Sequence, residues 1–160
     1  MEPWAAPVIV TAMSRLAAVC AIVVLAVLPS AAFAATLTGG RGPDHLAGGP
    51  GADRIAGRGG PGNDRLSGGP GNDLLAGDAG RDTLTGGRGG DVLVGGAGSD
   101  RINAATRGDA GDVVVAGNGN DRINALDGSP DRISCGPGRD RVRADSGDAV
   151  ARDCERVRRG

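Results

Sequence analysis

Aromatic residues are nearly missing from this chain: one Trp, one Phe and no Tyr in 160 residues. Lysine is absent, histidine occurs once, as His45, and there are three cysteines. Each scarcity excludes something. Large rings bury the most area per residue, so without them an ordinary globular core has little to be built from. With one histidine and few thiols, a transition-metal site lacks its usual donors. Ser67, Ser99, Ser129, Ser134 and Ser146 have no partner base, so no nucleophile–base pair can be proposed. The formal charge is only −1, with arginine alone offsetting the acids, and a near-neutral total argues against a nucleic-acid binder.

In place of rings and lysines the chain has 31 glycines and a series of regularly spaced aspartates. The pattern G-G-x-G-x-D-x-U-x, with U a large aliphatic residue, stands complete from Gly68 to Ala76 and from Gly95 to Asn103. Its aspartates are Asp44, Asp53, Asp64, Asp73, Asp82, Asp91, Asp100, Asp112, Asp121, Asp131 and Asp140. From Asp64 to Asp100 every step is nine residues, while Gly57-Arg58 and the stretch from Ala104 to Ala110 interrupt the count. Two residues after each aspartate stands Leu46, Ile55, Leu66, Leu75, Leu84, Leu93, Ile102, Val114, Ile123, Ile133 or Val142. Every one is aliphatic. Repetition at a short fixed period is the mark of a solenoid whose neighbouring coils bury one another.

Each nonapeptide divides into a turn, G-G-x-G-x-D, and a very short strand, x-U-x. The turn uses backbone angles that a Cβ forbids. In the strand the aliphatic residue faces inward and its neighbours face solvent, as His45, Arg54, Arg65, Arg101, Arg122, Arg132 and Arg141 should. Two nonapeptides make one coil, so Asp64, Asp82 and Asp100 stack on one edge, with Asp73 and Asp91 on the other. Such turns offer carboxylates and bare carbonyls, the hard oxygen donors that calcium takes in sets of six to eight.

On these motifs, residues Gly39 to Arg143 resemble the hemolysin-type calcium-binding repeat proteins, also called RTX proteins. The resemblance implies an all-β, right-handed parallel β-roll, a β-solenoid with several calcium ions in its turns. It also implies that the eleven aspartates, from Asp44 to Asp140, are the carboxylate ligands. Some copies depart from the pattern. Asp78 replaces a turn glycine, Ala110 stands where one is expected before Asp112, and Leu126 to Pro130 makes a poor turn before Asp131. Calcium is doubtful at those turns, and Asp78, Asp109 and Asp127 read as surface charge rather than extra ligands.

The first 34 residues read as a secretory signal peptide. Leu16 to Leu28 is an apolar run carrying Cys20, preceded by Arg15 and followed by Pro29 and the small-residue site Ala32-Phe33-Ala34. Cleavage is expected after Ala34, with an uncleaved anchor as the rival and Met13 as an alternative start. The run is too short for a comfortable membrane span. The remainder would have no aromatic residue, a composition close to that of a disordered chain until calcium neutralises the turns, so metal binding should be folding. The absence of lysine with abundant Arg, Gly and Ala suggests a GC-rich bacterial genome, and the leader suggests an exported, extracellular protein.

Residues 144–160 are expected to cap the roll of residues 35–143. Cys135 and Cys154, in an exported chain, most simply form one disulfide, which contributes roughly 3 kcal/mol in the chain-entropy model. The rival, two free thiols holding a metal, lacks a nearby histidine. The repeats begin too close to the cleavage site to leave room for an enzyme domain, so a non-enzymatic protein is expected. Two functional classes follow. One is a secreted calcium-binding protein with a structural or surface-associated role. The other is a calcium-dependent adhesin or carbohydrate-binding solenoid whose outward Arg and Asn ladders, Asn103 and Asn124 among them, meet extracellular polysaccharide. The outward arginines also have a blander explanation, a solvated face that balances the acidic turns. Oligomeric state is left open.

Overall fold

A strand with one inward residue between two outward ones is too short to stand alone and needs a neighbour on either side. The computed structural model describes residues 9–11, 22–24, 34–57, 62–107 and 110–160, and these contain sixteen strands and no helix. In chain order the first eight are β1 (Ile9–Thr11), β2 (Ile22–Val24), β3 (Thr36–Thr38), β4 (His45–Ala47), β5 (Arg54–Ala56), β6 (Arg65–Pro70), β7 (Leu74–Ala79) and β8 (Thr83–Arg88). The rest are β9 (Val92–Ala97), β10 (Arg101–Asn103), β11 (Val113–Asn118), β12 (Arg122–Ala125), β13 (Arg132–Ser134), β14 (Arg141–Ala144), β15 (Ala149–Val150) and β16 (Arg156–Arg159). Most of the expected leader, including its apolar run outside Ile22–Val24, lies outside the described residues.

Consecutive strands do not pair. Odd-numbered strands form one eight-stranded parallel sheet and even-numbered strands another, so the chain crosses between sheets at every turn and two repeats complete a coil. This is a parallel β-roll. Register keeps aliphatic on aliphatic: Ile55 lies beside Leu75, Leu66 beside Leu84, Leu93 beside Val114, and Ile123 beside Val142. Val92 still pairs with Val113, so the extra residues between β10 and β11 leave the ladder unshifted.

The core is the double row of inward residues, each of the eleven expected ones at most 3% exposed. Burying each contributes about 1.5–3 kcal/mol, an upper bound against a compact unfolded chain. Leu37, nine residues before Leu46, extends the row at least one repeat earlier than the glycine-rich motif indicates. At the other end the sheets run past Arg143, because β15 pairs with β13 and β16 with β14. There Cys135 is joined to Cys154, with Cα atoms 5.2 Å apart. Asp153 braces the joint, accepting the Ser134 hydroxyl and the Gly136 N–H through Oδ2, both at 2.9 Å. Among the described residues no helix is long and apolar enough to cross a membrane.

The two outer faces differ. On the even-numbered sheet the first outward rank reads His45, Arg65, Thr83, Arg101, Arg122, Arg141, Arg156. On the odd-numbered sheet the same rank reads Arg54, Leu74, Val92, Val113, Arg132, Ala149, with aliphatic side chains at its centre.

Candidate metal centres

At the start of each strand the chain turns into the sheet, and the aspartate there has a backbone N–H with no strand partner of its own. The side chain of the next coil supplies the acceptor. Asp64 donates its N–H to Asp82 Oδ1, Asp73 to Asp91 Oδ1, Asp82 to Asp100 Oδ1 and Asp100 to Asp121 Oδ1, each at 2.8 Å. The same bond links Asp44 to Asp64, Asp53 to Asp73, Asp91 to Asp112, Asp112 to Asp131, and Asp121 to Asp140. Two columns result, one per edge. Asp44, Asp64, Asp82, Asp100, Asp121 and Asp140 stack on one, and Asp53, Asp73, Asp91, Asp112 and Asp131 on the other.

All eleven aspartates are at most 4% exposed, which is rare for a carboxylate and demands a partner for its charge. Oδ1 has its N–H. Oδ2 divides the series into three groups. In Asp44 and Asp53 it accepts a turn N–H, from Gly40 at 2.7 Å and from Gly49 at 2.8 Å. In Asp64, Asp73, Asp82 and Asp100 it is buried, accepts nothing, and points at the first glycine of its own turn. A Cβ on Gly77 would stand 2.5 Å from Asp82 Oδ2 and 2.6 Å from the carbonyl oxygen of Gly95 in the next coil, so this space holds oxygens and admits no side chain.

Past Gly95 the third group begins. The residue at the first-glycine place becomes Ala104, Ala116, Ala125, Cys135 and Ala144, all fully buried. Asp121 and Asp140 keep an unpartnered Oδ2, but a methyl group or a sulfur now occupies the position that is bare in the earlier turns. The carboxylates of the irregular repeats, Asp112 and Asp131, stand in the column with the rest.

Burial raises the carboxyls of Asp64, Asp73, Asp100 and Asp140, and it pushes those of Asp82 and Asp121 up to about 6 from an ordinary 3.8. The N–H bond from the coil before partly opposes this. For Asp82 the neighbouring charges of Asp100, Asp64 and Asp78 add to the rise. Such a column resists carrying charge alone and therefore favours a cation beside it. The oxygen atoms that face one another in these turns are carboxylate and carbonyl, a hard set that fits calcium and offers no nitrogen or thiolate.

Among other acids, Asp78 takes a left-handed turn residue's place, at φ 73°, a conformation that aspartate tolerates better than most. Asp127 organises the turn before Asp131, accepting the Ser129 N–H at 2.7 Å and the Thr106 N–H at 3.3 Å. Asp109 lies outside the described residues. Cys135, Asp153 and Cys154 bring ligand-type atoms within 4.8 Å of one another, but the two sulfurs are bonded together and are not thiolate donors.

Two acids of the columns were not anticipated. Asp131 donates its N–H to Asp148 Oδ1 at 3.0 Å, and Asp140 donates to Glu155 Oε2 at 2.8 Å, so Asp148 and Glu155 end the two edges. Their signal is the triplet itself, since Asp148-Ala149-Val150 and Glu155-Arg156-Val157 each keep acid, any residue, aliphatic. Turn asparagines form a further ladder: Asn63 Oδ1 accepts the Arg81 N–H at 2.8 Å, and Asn72 Oδ1 the Gly90 N–H at 2.9 Å.

Residues 32–61, 58–93, 85–105 and 107–129 match, as four copies, the RTX calcium-binding nonapeptide repeat. No curated protein and no solved structure gives a significant match to the chain.

Proposed function

This chain belongs to the RTX calcium-binding nonapeptide repeat family, and from that premise we propose that it is an exported structural protein whose roll assembles when calcium enters its turns. The carrying observation is the buried, unpartnered Oδ2 of Asp64, Asp73, Asp82 and Asp100, each facing a glycine that leaves room for oxygen only. Calcium would neutralise carboxylates that burial makes reluctant to ionise, and would tie each turn to the next. The regular block from Asp64 to Asp100 is where it would act most strongly. Asp44 and Asp53, whose Oδ2 atoms already accept backbone N–H groups, would contribute less, as would the turns from Asp112 onward, whose first position carries a side chain.

The apolar leader and the paired Cys135 and Cys154 both support a place outside the cytoplasm, where thiols oxidise and calcium is plentiful. Nothing in the columns resembles a catalytic pair, and their acids are committed to the ladder and to metal. A structural or surface-associated role fits best.

Circular dichroism of the chain from Ala35 onward, titrated with calcium and then magnesium, is the test. Cooperative β signal with calcium alone, at roughly 0.1–1 mM as for extracellular modules, is the expected result. Full β signal already present in chelator would reduce calcium to an accessory.

A further inference from the structure

We infer that the outer face of β10, β12, β14 and β16 binds a linear acidic polysaccharide whose carboxylates are held by a ladder of arginines. The inference concerns the sheet face, not the turns, and requires only that the roll be assembled.

Strand register lines up Arg101, Arg122, Arg141 and Arg156 in one rank, with Arg143 and Arg158 in the rank beside it. Like charges directly opposite one another on neighbouring strands oppose pairing. Here six of them share one face, and among the described residues none of the six is in an ion pair. Glu155 lines the same face, but its Oε2 is held by the Asp140 N–H. The face is a shallow trough of about 980 Å³ that the arginines border. At the matching rank of the other sheet Leu74, Val92 and Val113 separate Arg54 from Arg132, so the unbroken run of arginines belongs to one side only.

Guanidinium groups grip carboxylates in a two-pronged fork. Successive rungs of a parallel sheet are about 4.8 Å apart, close to the length of one pyranose unit, so a sugar acid chain lying across the strands meets a guanidinium at each step. Asparagines continue the second rank: Asn124 donates to Asn103 Oδ1 at 2.9 Å, and its own Oδ1 is buried and accepts no hydrogen bond. Nucleic acid fits less well, because residues 34–160 contain no aromatic side chain on which a base could stack.

The test is isothermal titration of the full chain with tetragalacturonic acid, too short to gel with calcium, in whichever buffer circular dichroism shows the roll's β signal. Its methyl ester, which keeps the hydroxyls and loses the charges, is the control ligand. The acid is expected to bind and the ester not to. The double variant Arg122→Ala/Arg141→Ala should weaken binding about tenfold or more. Arg54→Ala/Arg132→Ala removes the same charge from the other sheet and should change it less than about twofold. No binding by an assembled roll, equal binding of the ester, equal loss in both double variants, or polyphosphate binding as tightly as the acid would each overturn the inference. Loss of the β signal itself would count against the calcium proposal instead.

Discussion

Asp82→Asn separates the two tasks of one carboxylate. Oδ1 accepts the Asp64 N–H at 2.8 Å, and asparagine keeps that acceptor. Oδ2 is buried without a partner, and its replacement by an amide nitrogen removes the charge. With the folded carboxyl at about 6 and the ordinary value at 3.8, ionisation of Asp82 destabilises the metal-free roll by about 3 kcal/mol at neutral pH. The new amide leaves a buried donor unmet, costing about 1–3 kcal/mol. The net expectation is a metal-free roll more stable than wild type by about 1 kcal/mol. In calcium the sign should reverse, because on the reading proposed above that charge meets the ion at the centre of the regular block. Folding can be driven in chelator by the osmolyte TMAO and read by circular dichroism. The variant should fold at lower TMAO than wild type, yet need about tenfold more calcium when calcium is the driver. Asp82→Ala removes the Oδ1 acceptor as well and should be worse than wild type in both. If Asp82→Asn were as damaging as Asp82→Ala in chelator, the division of labour between the two oxygens would be refuted.

Other consequences can be checked alongside. The folded carboxyls of Asp82 and Asp121 sit above their unfolded value of 3.8, so the folded state holds protons more tightly. Their stabilisation of the metal-free roll is complete below about pH 4 and lost as pH rises through about 6. Circular dichroism in calcium-stripped buffer should therefore show more β signal at pH 4 than at pH 7, and added calcium should abolish the difference. Gly77→Ala drives a methyl group onto Asp82 Oδ2 and the Gly95 carbonyl and should cost about 1–3 kcal/mol in calcium. Gly40→Ala meets nothing within 4 Å and should stay within about 0.5 kcal/mol; thermal unfolding compares the two. Reduction of the Cys135–Cys154 bond should remove about 3 kcal/mol in the chain-entropy model, seen as faster hydrogen exchange confined to the last coils.

The period of nine made the coil, the inward row and the two acidic edges legible without coordinates. Leu37, Asp148 and Glu155 are not marked by the glycines of the motif. The turns before Asp148 and Glu155 have largely lost theirs, while acid and aliphatic persist. Chain continuity there depends on the strand and not the turn. The change from Gly95 to Ala104 at the first position is plain in the letters, but its meaning is geometric, since only the approach of Oδ2 shows what a Cβ displaces. Which carboxylate oxygen serves the backbone and which is left over depends on hydrogen-bond direction, to which spacing is blind. The arginine ladder lay among the outward positions. That its members run unbroken on one sheet while aliphatic residues take the centre of the other required knowing which repeats pair.

The covalent joint between Cys135 and Cys154 also has a mechanical side. Each coil touches only its neighbours, so tension along the chain unwinds the roll from an end. The last coil is stitched to the one before it, so a pull at Gly160 peels β16 from β14 and is then borne by sulfur. Unravelling therefore starts from the other end, one coil at a time, each of eighteen residues in the regular block paying out up to about 60 Å of slack. Anchored by its tail, such a roll would lengthen in near-equal steps under load and, if calcium assembles it as proposed, would rewind where calcium is at hand.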